Sequence, residues 1–514
     1  MTAYWGIFLL LGSVVGASVY PTTRVQRNRQ PAGKIYLKMS YITKWEVSMI
    51  NEAARAGEVW RTRPAAERAE VLDRVADALL MAEEELWPVA REETALPEAR
   101  LRGEITRSAV QFRLFADVLR DGGHVEAVID HADASAAPPK PDVRRMFQPV
   151  PGVVGVFAAS NFPFAFSVAG GDVASALAAG CAVVVKAHPG HPVLSRRVAE
   201  VIKAALPDPD LLGLVEGLEA GRELVQHPLV SAVGFTGSLR GGKAIQALID
   251  ERPDPIPFYG ELGSVNPVVV LPSALADPAR LAEGFAASLT LGVGQFCTNP
   301  GLLFVPDDAE LLKAITAAVA ATTGGAMLTP AIREGFETGA ASLDGKLTEL
   351  ARGLAGPIEG AVAPRVYTAD LTTFSMGLPE LAEECFGPSA IVVTYQEISD
   401  LPEVLRNLPG SLTATVHSAD PVEAAPLVPE LARLAGRVIW NGWPTGVAVT
   451  WAMHHGGPWP ASTTPMHTSV GATAIRRWQT PVAYQDLPDQ LLPAELREDN
   501  PLGVPRRVDG VFSQ

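Results

Sequence analysis

Apolar positions set out the organisation of the chain. Between Asn51 and about Arg120 they recur at intervals of three and four, as at Val71, Val75, Leu79 and Leu80, which predicts amphipathic helices. Ala132 to Val143 (ADASAAPPKPDV) is rich in Ala and Pro and reads as a loop or linker. Short β-rich runs then alternate with helical stretches. The predicted strands are Val153–Ala158, Ala182–Lys186, Leu212–Val215 and Ala232–Phe235, and the helices are Phe166–Ala179, Val193–Ala205, Gly221–Gln226 and Gly237–Ile249. That alternation predicts a parallel, doubly wound sheet, with ligands at the carboxyl ends of its strands. A second alternating set begins at Asn266–Leu271. It runs through Pro278–Leu291, Leu302–Val305, Leu311–Ala320, Ala390–Thr394, Ala414–Val416 and Arg437–Trp440, placing a boundary near residue 263.

Met1 to Thr23 carries no charged side chain and is followed by Arg24, Arg27 and Arg29. It reads as a signal anchor, since a membrane span needs about 20 residues, or as a buried hairpin. A third reading is an upstream extension, with Met39 or Met49 nearer the true start. Composition narrows the rest. With 47% apolar and 19% charged residues, the chain can build a large core. A net charge of −15 argues against nucleic acid or an anionic membrane as main partner, while leaving room for a local basic pocket. Three cysteines make no disulfide framework, so a reducing, cytoplasmic compartment is expected.

Six places carry candidate chemistry, each with a plainer alternative. Cys297, in GQFCTNPG, stands where Gly and Pro bend the chain, and suits a nucleophile or a buried structural thiol. Glu261, in FYGELGSVNP, follows an apolar strand. In a partly dry cleft its pKa should rise as befits a general base, and otherwise it is a strand-end acid. Asn161, in FAASNFPF, is an oxyanion donor or a helix N-cap. Thr236-Gly237-Ser238 ends a strand and opens a helix, where Gly237, Gly241 and Gly242 would let backbone approach a bulky anion. Lys186 ends the strand AVVVK and points to ligand space or snorkels. Glu384, in EECFGP, accepts hydrogen bonds from a ribose or is a surface acid. The pairs His188/His191 and His454–His455 suggest a metal only weakly, because no Cys or acid completes a set, and none is expected.

Taken in order, NFP, the strand-end Lys, FTGS, ELGS, GQFCTN and EECFGP resemble the aldehyde dehydrogenase superfamily from about residue 50 to the C-terminus, with Cys297 36 residues after Glu261. The resemblance implies an α/β fold with a Rossmann-type cofactor domain, an α/β catalytic domain and a small β bridging arm. These would span 50–262 (interrupted by 132–150), 263–460 and 461–514, with 1–49 unassigned. It implies that Cys297 attacks an aldehyde, that Asn161 holds the oxyanion and that Glu261 activates the hydrolytic water. Lys186, Thr236, Gly237, Ser238, Glu384 and Phe386 would bind NAD or NADP. It also implies a homodimer or homotetramer.

The departures sharpen the expectation. Pro189 stands where many NAD-preferring members carry an acid, which favours NADP. The segment MHHGGPWPAST, with TSVGATAIRRWQTPVAYQDLP, resembles the 2-oxoglutarate semialdehyde (2,5-dioxopentanoate) dehydrogenase branch. A related branch acts on long-chain aldehydes with NADP, and a catalytically silent homologue is the remaining alternative. A carboxylated substrate needs a cation at the entrance, for which Arg113 in AVQFRLFADVLR is the candidate, against a helix-surface arginine. Residues 1–48 match nothing of the family's β-rich opening.

Overall fold

The computed structural model describes residues 44–513; the Met1–Thr23 stretch and its alternative readings lie outside the described residues. Among the described residues, no helix is long and apolar enough to cross a membrane. The N-terminal helical pattern resolves into α1 (Lys44–Trp60), α2 (Ala65–Met81), α3 (Glu83–Thr94) and α4 (Glu98–Asp121). Pro64 and Pro97 stand immediately before α2 and α4, in the extended conformation that a helix cannot continue through. Leu72, Val75 and Leu79 of α2 and Leu101, Ile105 and Phe112 of α4 are buried in one core.

The first sheet holds β3 (Val153–Phe157), β4 (Ala182–Lys186), β5 (Leu212–Val215), β6 (Val230–Thr236) and β7 (Phe258–Glu261), all parallel, in the order β5-β4-β3-β6-β7. Register fixes what its carboxyl edge presents. Phe157 pairs with both Lys186 and Phe235, and Thr236 pairs with Glu261. Val183, Val184 and Val185 are wholly buried, as helices on both faces require. Those helices are α5 (Gly171–Ala179), α6 (Pro192–Ala205), α7 (Leu218–Gln226) and α8 (Leu239–Asp250). The helix expected from Phe166 starts only at Gly171. Residues 166–170 instead form a tight turn, with Gly170 N–H donating to Ser167 O and Gly171 N–H to Ala165 O.

The second sheet runs β10 (Thr348–Arg352), β11 (Arg365–Asp370), β12 (Ser389–Tyr395), β9 (Leu302–Pro306), β8 (Val268–Val270), β13 (Ser411–His417) and β14 (Ala435–Trp440), and only β10 is antiparallel. Its flanks include α9 (Pro278–Thr290), α10 (Ala309–Ala320) and α11 (Pro330–Asp344). The third sheet is built from distant pieces: β1 (Ala127–Asp130), β2 (Val143–Pro149), β15 (Gln479–Gln485), β16 (Arg506–Val508) and β17 (Val511–Ser513), in the order β15-β2-β1-β16-β17.

The segment 461–514, one bridging piece by its sequence, divides at Trp478. Ala472, Ala474, Ile475 and Trp478 belong to the core of the first sheet, and only the strands beyond Trp478 join the third. The cause is a polar clasp on α5. Arg477 pairs with Asp172 at 2.7 Å, and Trp478 Nε1 donates to Ser175 Oγ at 2.8 Å.

Candidate active site

Cys297 stands on the loop between α9 and β9, bent by three consecutive left-handed residues, Gly292, Val293 and Gly294. A Cβ at Gly294 would lie 2.4 Å from the Gly387 carbonyl carbon, so only glycine fits there. The loop is then held from both sheets. Asn266 Nδ2 donates to Cys297 O at 2.8 Å and Asn299 O at 2.9 Å, while its Oδ1 accepts from Thr413 Oγ1 at 2.9 Å and Ser264 Oγ at 2.8 Å. Asn161 Nδ2 donates to Gln295 O at 3.0 Å, so Asn161 is brought to the cysteine loop. An amide nitrogen has a second N–H. Asn161 is itself fixed by Arg100 on α4, whose Nη2 donates to the Asn161 carbonyl and whose guanidinium lies over the Phe162 and Phe296 rings.

Glu261 ends β7 and is 5% exposed. His455 Nε2 lies 3.1 Å from Glu261 Oε1 and 3.5 Å from Cys297 Sγ, and the ligand atoms of the three residues lie within 4.8 Å of one another. Ser469 Oγ donates to the other Glu261 oxygen, and His455 N–H donates to Thr468 Oγ1 at 2.7 Å. Sequence spacing missed His455, which is 158 residues from Cys297. It also missed that this histidine acquires an acid and a thiol in space, overturning the premise that no set is completed. The donor set Glu–Cys–His is one a divalent metal accepts as readily as a nucleophile–base arrangement uses it.

The expected rise in the Glu261 pKa is not what the geometry gives. Burial pushes the carboxyl up, but His455, Ser469 and Arg477 outweigh it and hold Glu261 below its ordinary value. The Cys297 thiol is displaced the other way. Burial and the Glu261 and Glu384 carboxylates raise it well above its ordinary value, against a weaker pull from Arg437. The resting pair at neutral pH is therefore a thiol beside a carboxylate.

The remaining candidates stand at the carboxyl edge of the first sheet, at the ends of β4 and β6, and on the loop before β12. Thr236 shares a cavity wall with Glu261, His455 and Ser469. Gly237 and Ser238 are exposed, and Ser238 Oγ caps α8 by accepting from Gly241 N–H at 3.2 Å. That leaves the N–H groups of Leu239 and Arg240 without intrahelical acceptors, as a phosphate site requires. The glycines have another cause besides ligand approach. A Cβ on Gly237 would meet the Phe235 ring at 2.6 Å, and one on Gly242 would meet Leu262 at 2.4 Å. Lys186 is half-buried at the end of β4. Burial lowers its ammonium pKa, partly offset by Glu216. Glu384 is open to the cleft solvent, yet the protein crowded around it raises its carboxyl to about 7, offset by the Ser264 backbone. It faces Gly263, where a Cβ would lie 2.5 Å from Oε2, and Phe386 lines the same cavity. A strand-end cation, a free helix N-terminus and an open carboxylate fit a nicotinamide dinucleotide.

Arg113 is not brought to this site. Its Nη2 is spent on Asp77 of α2 at 2.6 Å on the exposed face. Six residues earlier, roughly 120° round the helix, Arg107 faces inward instead, where its electrostatic neighbours include Glu104, Cys297 and Glu261.

Residues 21–464 match the family described as "Aldehyde dehydrogenase family". The alpha-ketoglutaric semialdehyde dehydrogenase 2 of Azospirillum brasilense is 45% identical over 90% of this chain and 91% of its own length. The alpha-ketoglutaric semialdehyde dehydrogenase of Acinetobacter baylyi is 40% identical over 94% of each. The gamma-glutamyl-gamma-aminobutyraldehyde dehydrogenase structure from Burkholderia cenocepacia J2315 matches with TM-score 0.74 at 23% identity, covering 86% of this chain and 87% of that one. At that identity the likeness bears on the fold alone.

Proposed function

This chain belongs to the aldehyde dehydrogenase family, and from that premise we propose that it oxidises 2-oxoglutarate semialdehyde (2,5-dioxopentanoate) to 2-oxoglutarate. The observation that supports the chemistry is the meeting of Cys297 Sγ, His455 Nε2 and the Glu261 carboxylate at the ends of two sheets. Similarity to two relatives named for this substrate supports the choice of aldehyde.

Cys297 Sγ adds to the aldehyde carbon. The thiol proton passes to the Glu261 carboxylate, which the His455 Nε2–H helps to keep ionised, and is lost to solvent before the hydrolytic step. The free N–H of Asn161 Nδ2 and the Cys297 backbone N–H receive the oxyanion. A bound nicotinamide dinucleotide supplies the hydride acceptor. Cys297 then carries a thioester, and Glu261, ionised because His455, Ser469 and Arg477 outweigh its burial, takes a proton from the attacking water. The acyl carbon–sulfur bond breaks, the carboxylate leaves and Sγ regains its proton.

Lys186, Thr236, Gly237, Ser238, Glu384 and Phe386 would hold the dinucleotide, and NADP is the favoured form. Pro189 offers no carboxylate, and the acid at the end of β5, Glu216, is neutralised by Arg196 at 2.7 Å. We place the enzyme in the cytoplasm as a homodimer or homotetramer, its three cysteines being free.

The test is reduced-dinucleotide absorbance with both cofactors over a panel of carboxylated, short and fatty aldehydes. Cys297→Ser should abolish turnover, and activity that survives it would sink the mechanism. Glu261→Gln should keep an initial burst of reduced dinucleotide and lose steady-state turnover.

A further inference from the structure

Two arginines stand near Cys297 without a carboxylate partner. Arg107, on α4, donates from Nη1 to the Val447 carbonyl, while its Nε and Nη2 are buried without an acceptor. Arg437, on β14, donates from Nη2 to the carbonyls of Pro444 at 3.0 Å and Gly446 at 2.8 Å, and its Nε is likewise buried without an acceptor. Among the described residues, neither guanidinium lies within ion-pair distance of an acid, although α4 alone carries four other arginines that each do. The loop 444–447 that both arginines grip is fastened beside the nucleophile, since Gly446 N–H donates to Thr298 Oγ1 at 3.0 Å. Arg107 also lies over the Phe166 ring at 5.7 Å, and Phe166 packs edge-on against His455. The two cations thus come from different parts of the fold to one loop at the reacting cysteine.

Desolvated donors without acceptors are costly, and a cation buried without a counter-ion more so. Such an arrangement is completed by an anion. A carboxylate is the anion whose two oxygens match a guanidinium edge. In the substrate proposed above, carboxylate and aldehyde carbons are separated by roughly 5 Å of extended chain. A cation adjoining Cys297 is therefore within reach of one end while Sγ attacks the other. We propose that Arg107 and Arg437 are the specificity-determining residues that receive the carboxylate end of the aldehyde across the 444–447 loop, the role Arg113 cannot fill.

This inference rests on the carboxylated-substrate reading, and the experiment separates the two. The kcat/KM ratio for 2-oxoglutarate semialdehyde against pentanal is measured in wild type, Arg107→Met and Arg437→Met, with Arg107→Lys as the conservative variant. Losing a charged hydrogen bond predicts that the ratio falls roughly tenfold to a hundredfold in each Met variant, through KM for the carboxylated aldehyde, and recovers in part with Lys. A wild type that prefers pentanal sinks the substrate reading itself. A wild-type preference for the carboxylated aldehyde that persists in both Met variants overturns the arginine assignment alone. Equal loss towards both aldehydes also overturns it, since that is what slackening the loop would do. If Arg107→Met does not fold, Arg437→Met and Arg107→Lys decide the matter by the same ratio.

Discussion

At the scale of single residues, the consequential group is His455. A thiol raised by burial beside two carboxylates does not ionise unaided, so the proton must leave through a neighbour. Removing the imidazole by His455→Gln is expected to lower kcat/KM about a hundredfold, and to slow alkylation of Cys297 by iodoacetamide at neutral pH while leaving it reactive at high pH. An unchanged alkylation pH profile would leave His455 only a packing role. The same trio predicts inhibition by zinc. Zinc should displace the thiol proton, protect Cys297 from iodoacetamide, act more strongly as pH rises and be reversed by a chelator. Cys297, Glu261 and Asn161 are legible through the order and spacing of their motifs, since each alone also suits a buried thiol, a strand-end acid or a helix N-cap. His455, Asn266 and Arg100 are not, because their meaning depends on distant partners: the Cys297 thiol, the Thr413 backbone and the Asn161 carbonyl. Arg113 has a suggestive sequence neighbourhood, but periodicity alone gives no way to tell the α4 face that meets α2 from the face that meets the site.

At the scale of elements, legibility tracks burial. The strand AVVVK and the helix Pro192–Ala205 bury most of an apolar face and announce themselves. The helix α11 buries only Phe336 and Ala340, and β10 only Ala351, so their sequences carry little periodic signal and neither is predicted. The small residues of α5 have a structural cause. Every residue of that helix except Asp172 is buried, and it packs beneath the segment that ends in Arg477 and Trp478. Ala176→Leu there adds three carbons to a filled space, and is expected to cost about 1–3 kcal/mol, read as a lower denaturant midpoint at constant m-value. Through Arg477, which is one of the groups depressing the Glu261 pKa, the same variant should also shift the acidic limb of the pH–rate profile upward. A midpoint within error of wild type would mean that the α5 packing is looser than its burial indicates.

At the scale of the whole molecule, buried ionisable groups give stability a slope with pH. Glu104 on α4 is 4% exposed and pairs with Arg100 at 3.1 Å. Burial nevertheless dominates, and its carboxyl is raised to about 7, with Arg100 and the Phe164 N–H pulling the other way. The unfolded value is about 4.3, so the folded chain binds this proton more tightly. Its contribution to stability is present below the unfolded pKa and is lost as pH rises through about 7. His131, raised by Asp509 and Glu498 where β1 meets the C-terminal strands, slopes in the same direction above its own unfolded value, but it is exposed and solvent screening weakens it. Buried histidines held below their ordinary value, His124, His188 and His417 among them, slope the opposite way up to about pH 6.5, so the Glu104 contribution is isolated as the difference in melting temperature between wild type and Glu104→Gln. Glu104→Gln keeps the volume and the hydrogen-bonding oxygen but removes the titration, so the melting temperature of wild type minus that of the variant should fall as pH rises from about 5 to about 8. A parallel slope in the two proteins would show that Glu104 stays ionised in the folded chain, held by Arg100 more firmly than its burial opposes.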